Sequence, residues 1–210
     1  AFGLYNPCVA LKVDQKMVLN DIDFDDKAKI YVLTGPNRGG KSVITCAVGQ
    51  AQALCQLGLP VPAASAVISP VTAIYTHFPT GSEGDGAIEK GRLGEECDRL
   101  NKIFDTLDSH SLILLDESFS STGSYEASYI ASEVLTGFSM IGCKCLFSTH
   151  LHELSGQLDE INKKCAAMGG VPIDTLVAGI HGSERSFEIT RAKPDGKSYA
   201  RDIAEKFGLS

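Results

Sequence analysis

The chain lacks several features that would have settled its class at once. It has no run of the roughly 18 apolar residues that a membrane helix needs, and its start carries no signal-peptide pattern, so neither is expected. It has no cluster of lysines or arginines: 19 basic against 26 acidic residues leave a formal charge of -7, which disfavours a broad phosphate-neutralising surface for DNA. A disulfide pattern is missing as well. The seven cysteines are odd in number and mostly stand singly in apolar stretches, which is the usage of a reducing compartment, so buried thiols and a cytoplasmic location are expected. Cys143 and Cys145 are expected on opposite faces of one strand, where they would not share a metal. No internal repeat or low-complexity tract is visible, and the start at Ala1 suggests a fragment.

What is present is ordinary globular composition, 43% apolar and 21% charged over 210 residues, enough for one substantial core. The first 30 residues read as short antiparallel strands around Cys8 to Val13 and Met17 to Leu19. Lys29 to Thr34 forms a compact strand pattern that runs into a glycine-rich turn. Lys41 to Leu57 is helix-compatible and stops at Gly58 and Pro60. Val67 to Ile68 and Val71 to Thr76 read as short strands, and 79–94, with five glycines, as a mobile loop. A helix is expected over Glu95 to Leu107, where apolar residues recur every three or four positions. Strands follow at Ser111 to Leu115 and Lys144 to Ser148, with a helix over Ser124 to Phe138 between them. Ala166 to Met168, Thr175 to Ile180 and Phe187 to Thr190 read as strands, and Ser198 to Phe207 as a final helix. The alternation predicts a single α/β domain with a mostly parallel central sheet flanked by helices and a smaller antiparallel N-terminal portion.

The segment Gly35-Pro36-Asn37-Arg38-Gly39-Gly40-Lys41-Ser42 is a complete phosphate-loop pattern, placed between a strand and a helix as that loop requires. Such a loop surrounds phosphates with backbone N–H groups and a helix N-terminus, while the lysine reaches β and γ oxygens and the serine hydroxyl ligates magnesium. ATP or ADP with Mg2+ is therefore expected here. About 75 residues on, the apolar run to Leu115 ends in Asp116 and Glu117, a pair suited to holding magnesium and orienting an attacking water. The next strand ends near His150, which a parallel sheet would bring to the same crevice. The hydroxyls of Ser121, Thr122 and Ser124 suit either the cap of the following helix or contact with a second subunit.

These motifs together resemble the ATPase domain of the MutS family of DNA mismatch-repair proteins, a branch similar to the ABC ATPases. TGPNRGGKS is similar to that family's TGPNMGGKS, LGLPVPA at Leu57 to Ala63 to its Y-V-P-A segment, and IYTHF to its I-F-T-R segment. LLDESFSSTGSYEA resembles its acidic strand and subunit-contact loop, LFSTHLHEL its A-T-H-x-x-E-L segment, and GKSYARDIAEKFGL its K-S-Y-G region. The resemblance runs from about Pro7 to Leu209. It implies a P-loop ATPase of ABC type that works as a homodimer or with a MutS-like partner, its cycle coupled to DNA through other regions of a longer protein, in the cytoplasm or on the nucleoid of a bacterium. By position, Asn20 would lie beside the nucleotide. Residues 35–42 would hold phosphates and magnesium. Asp116 and Glu117 would organise metal and water, and His150 would sense the γ-phosphate.

The chain also departs from the family pattern. The S-T-F-M-V-E signature stands here as Gly91-Arg92-Leu93-Gly94-Glu95-Glu96, so the hydroxyl expected to cross to a partner's γ-phosphate is absent. Arg92 is the candidate replacement, with Ser121 and Thr122 as further contacts across a dimer. G-R-G-T is replaced by Phe119-Ser120-Ser121-Thr122, and the usual aromatic beside adenine falls near Met17. These changes point to a divergent MutS-like branch and to slow or partner-dependent turnover. Two other readings stay open: a nucleotide-binding regulatory module with little turnover, and another ABC-type ATPase, which the absence of an LSGGQ segment disfavours.

Overall fold

The computed structural model describes residues 1–14, 16–78, 91–181 and 184–194. Its framework is a six-stranded sheet whose strands are β1 (Ile30–Thr34), β2 (Ile74–His77), β3 (Leu112–Asp116), β4 (Lys144–Ser148), β5 (Ile173–His181) and β6 (Glu184–Arg191). They lie in the order β2-β3-β4-β1-β5-β6. The first five are mutually parallel and β6 pairs antiparallel with β5. The helices are α1 (Pro7–Ala10), α2 (Lys41–Gln56), α3 (Gly91–Phe104), α4 (Ser124–Ile141) and α5 (His152–Ala167).

The central strands are apolar almost throughout because both faces are covered. Alternate residues of β1 supply two different cores. Ile30 and Val32 join Ile113, Leu115 and Phe147 under α3, α4 and α5, where Leu100, Leu135, Phe138, Leu154 and Leu158 are buried. Tyr31 and Leu33 join Leu112, Leu114 and Leu146 on the other face under α2, where Ile44, Ala47, Val48 and Ala51 pack. Burial of so many large side chains, each contributing about 1.5–3 kcal/mol, sets the rigidity of the sheet.

Several expectations are corrected. Cys8 lies in the short helix α1, because Asn6 accepts from the Val9 amide and Pro7 fits a first helical position. Among the described residues the N-terminal portion is antiparallel only in isolated bridges, Phe2 with Ser65, Leu4 with Asn20 and Asp25 with Ala28. The antiparallel pair within the sheet is β5 with β6, at the edge to which Asn20 of the N-terminal segment is bonded. Val67 and Ile68 form no strand. Ala166 and Ala167 close α5, whose buried Leu154, Leu158, Ile161 and Cys165 follow the helical spacing of three and four. Residues 91–94, read as loop, form the first turn of α3. The remainder of that loop, 79–90, and the helix expected over 198–207 lie outside the described residues. Cys143 and Cys145 are both buried in the same core, since residues two apart in extended chain face the same side. Burial pushes the Cys143 thiol up to about 12 and raises Cys145 as well, so they behave as core residues. No helix among the described residues is long and apolar enough to cross a membrane.

Candidate nucleotide site

The register brings the carboxyl ends of three strands level: Leu33 of β1 and Asp116 of β3 both stand opposite Ser148 of β4. Everything that follows these strands therefore emerges along one edge. From β1 emerges the loop 35–40. Its Gly35 has φ 133°, and a Cβ there would stand 2.7 Å from the Ala178 Cβ and 2.9 Å from the Ala178 carbonyl. Only glycine lets the loop pass β5 so closely. Gly39 donates to the Pro36 carbonyl at 3.1 Å, Arg38 has φ 60°, and Gly40 has φ 90°.

Gly40 is the N-cap of α2, with no side-chain hydrogen bond to the first turn. The first amides of this long helix are left to another acceptor, a ready arrangement for an anion. Lys41 is 4% exposed, and its Nζ donates to the Gly35 and Pro36 carbonyls at 3.1 Å each. Burial lowers its pKa, partly offset by the charges of Glu117 and Asp116, while Arg185 of β6 adds to the lowering. An ammonium held by two loop carbonyls beside two carboxylates can exchange those carbonyls for phosphate oxygens.

A cavity of about 380 Å³ opens over this helix end. Arg38, Gly40, Lys41 and Ser42 form one side, Glu117 reaches it from β3, and Tyr5, Asn6, Val9, Met17, Val18 and Asn20 close it from the N-terminal segment. Phe187 of β6 completes the wall. Gly35, Pro36 and Gly39 are buried behind the lining and Asn37 is exposed. The Asn20 side chain is committed to β6: Nδ2 donates to the Phe187 carbonyl at 3.1 Å and Oδ1 accepts from the Ile189 amide at 2.6 Å.

Asp116 accepts a hydrogen bond from the Ser148 hydroxyl, and the Glu117 amide donates to the Ser148 carbonyl at 2.8 Å. Glu117 has φ 48° and Phe119 φ 67°, two left-handed non-glycine residues within three positions, a density associated with functional turns. Glu117 also lines a second cavity of about 50 Å³, together with His77, Arg92, Glu96, Arg99 and Asp116. His150 follows β4, is exposed, and is in the lining of neither cavity. Arg92 pairs with Glu96 of its own chain at 3.6 Å. The Ser121 hydroxyl approaches Glu96 at 3.5 Å, and Thr122 donates to the Glu126 carboxylate. The N-cap of α4 is Gly123, without a side-chain bond, and Ser124 binds Glu153 at 3.1 Å, so none of the three hydroxyls caps that helix.

Sequence reasoning missed Phe187, Tyr5, Val9, His77 and Glu96 as parts of this region. Sequence pattern marks Phe187 only as a strand residue, and its position over the loop depends on its φ of 58° and on the distant Asn20. Only the match of Glu96 to the family glutamate hinted at a role. For the metal, Ser42 and Asp116 offer hard oxygen donors, the kind magnesium takes sparingly from protein alongside phosphate and water.

A family model described as MutS domain V matches residues 31–182. Over 154 residues the chain is 38% identical to a DNA mismatch repair protein MutS of Prochlorococcus marinus (strain MIT 9301), covering 71% of this chain and 16% of that protein. Over 201 residues it is 31% identical to MutS of Chloroflexus aurantiacus (strain ATCC 29366 / DSM 635 / J-10-fl), covering 91% and 21%. It is 33% identical over 152 residues to a probable DNA mismatch repair protein Msh6 of Drosophila melanogaster, covering 71% and 12%. The chain thus spans between 12% and 21% of these relatives' lengths. These matches are to MutS domain V itself and to mismatch-repair MutS and Msh6 proteins, the family that the motifs resemble.

Proposed function

The chain belongs to the MutS family of DNA mismatch-repair proteins, and from that premise we propose that it is a P-loop ATPase domain of ABC type that binds ATP with Mg2+ and hydrolyses it. The observation that carries this reading is the buried Lys41 ammonium at the uncapped start of α2, in one cavity with Ser42 and Glu117. Lys41 exchanges its loop carbonyls for the β and γ oxygens, and the backbone N–H groups of 37–40 with the end of α2 hold the remaining phosphate charge. Ser42 and Asp116 hold the magnesium, which neutralises charge developing on the phosphates. Glu117 orients the water that attacks the γ-phosphorus, and His150 at the end of β4 senses the γ-phosphate. Met17, Tyr5 and Phe187 receive the nucleoside, and Asn20 stands beside it.

In a longer polypeptide this cycle is coupled to dimerisation, with a homodimer or a MutS-like partner, and to DNA bound by other regions. Arg92, 58% exposed at its side chain, reaches across such a dimer in this reading, with Ser121, which shares the Glu96 carboxylate with it, and Thr122 as further contacts. A second reading, a regulatory nucleotide-binding module with little turnover, is favoured by one observation: Arg92 stands where the family signature carries a hydroxyl, and it is paired within its own chain.

ATP binding and turnover across a series of protein concentrations test both readings. Lys41→Ala is expected to lower affinity at least tenfold. Glu117→Gln is expected to bind ATP as the native chain does and to turn over about 10²-fold more slowly. Native binding without turnover at any concentration selects the regulatory reading, and native binding unaffected by Lys41→Ala sinks the nucleotide site itself.

A further inference from the structure

We propose that Glu96 is the positioning residue of Glu117, acting from α3 through the backbone N–H of Phe119. The proposal rests on the reading of Glu117 as the group that orients the attacking water.

The turn from Glu117 to Phe119 carries two left-handed non-glycine residues, a conformation that persists only where its surroundings impose it. Three contacts impose it. From β4, the Ser148 carbonyl accepts the Glu117 amide at 2.8 Å. From β2, His77 Nδ1 lies 2.7 Å from the Ser118 hydroxyl, and the His77 ring stacks on Phe119. From α3, Glu96 Oε2 accepts the Phe119 amide at 2.6 Å. The first two belong to strands of the sheet and move only with it. The third comes from a helix and not from a strand of the sheet, and it is charge-assisted, hence the strongest of the three.

Glu96 is itself 9% exposed. Its other oxygen lies 3.6 Å from the Arg92 guanidinium and 3.5 Å from the Ser121 hydroxyl, so charge compensation arrives from the exposed first turn of α3. The small cavity joins Arg92, Glu96 and Arg99 of α3 to Asp116 and Glu117. Glu96 does not line the larger cavity, whereas Glu117 lines both. Glu96 therefore sets the direction of the Glu117 carboxylate without touching the nucleotide. Losing the Phe119 acceptor frees the turn to relax out of the left-handed region, which swings Glu117 relative to the γ-phosphate while the phosphate loop stays in place. A displacement of about 1 Å at such a group costs roughly 10²-fold in rate.

The test compares the native chain with Glu96→Ala, Glu96→Asp and Glu96→Gln, reading kcat, KM and amide hydrogen exchange at Phe119. Ala and Asp, which remove or retract the acceptor, are expected to lower kcat about 10- to 100-fold with KM within about threefold of native. Gln, whose Oε1 accepts the same bond, is expected to restore kcat to within about threefold of native. Phe119 should exchange at least tenfold faster in the Ala and Asp variants and near the native rate in Gln. Native turnover with kcat unchanged in Asp and Ala overturns the positioning role alone, as does a Gln variant as slow as Asp, or a Phe119 amide no faster in Asp. A native chain that binds ATP and does not hydrolyse it overturns the hydrolytic reading and the positioning role together, a result separable from the first by the native measurement.

Discussion

Gly35 shows how closely a single residue controls the loop. Its φ of 133° and the 2.7 Å that would separate an added Cβ from Ala178 leave no room for a side chain, and the carbonyl at 2.9 Å belongs to β5 backbone that cannot give way. Gly35→Ala is expected to cost roughly 1–3 kcal/mol through overpacking and dihedral strain, seen as a lower unfolding midpoint. ATP affinity should fall with it, because the Gly35 carbonyl also holds Lys41. An unchanged midpoint would show that β5 yields at this contact. The pattern of 35–42 was legible from residue types alone, since the glycines, lysine and serine stand at required spacings. The glycine's contact with Ala178 was not, because the two residues meet only through the pairing of β1 with β5.

At the scale of elements, the cavity is a composite, and Asn20 is the joint between two of its walls. Both of its side-chain bonds go to β6, at the carbonyl of Phe187 and the amide of Ile189. Asn20→Ala leaves a buried N–H without its acceptor, a loss of about 1–3 kcal/mol, and frees Phe187 to leave the cavity wall. The expected outcome is a lower unfolding midpoint and an ATP affinity reduced several-fold. Asn20→Asp should lose less, since it keeps the acceptor for Ile189 and forfeits only the donor. Equal loss in the two variants would contradict this division. Periodicity identified α3, whose apolar residues recur every three or four positions and face one core, while α2 was legible from helix-compatible residues ending at Gly58 and Pro60. It failed at α5, although Leu154, Leu158, Ile161 and Cys165 carry the same spacing, because Ala166 to Met168 also suits a short strand. It failed at α1 as well, where one Asn6 cap outweighs the β-like composition of Cys8 to Val13.

The whole molecule links nucleotide binding to stability. The proposed ligand would touch the N-terminal segment, α2, the end of β3 and β6 at once, so ATP with Mg2+ is expected to raise the unfolding midpoint in a concentration-dependent way, by about 2.7 kcal/mol at 100 times Kd. The same linkage has a proton component. Burial holds Lys41 below its ordinary value of 10.5, and phosphate oxygens favour the charged ammonium, so its pKa rises on binding. Between that lowered value and the one with phosphate bound, ATP binding takes up protons, and affinity falls as pH rises through that window. Calorimetry near the alkaline end, in two buffers of different ionisation enthalpy, reads this uptake; proton release there would contradict it.

Local chemistry by itself determined the phosphate loop, the acidic strand end and the alternating α/β order, because each depends on neighbours in the chain: a glycine-rich turn, an apolar run, a helical period. Tertiary structure alone decided which strands adjoin, that α3 hands Glu96 to the turn after β3, that Asn20 binds β6 about 170 residues away, and that the hydroxyls of Ser121, Thr122 and Ser124 meet Glu96, Glu126 and Glu153. Those contacts are made by hydrogen bonds between segments far apart in sequence, and their geometry exists only once the sheet has set the register. The phosphate loop could be read from the chain; the groups that aim Glu117 at it had to be seen in place.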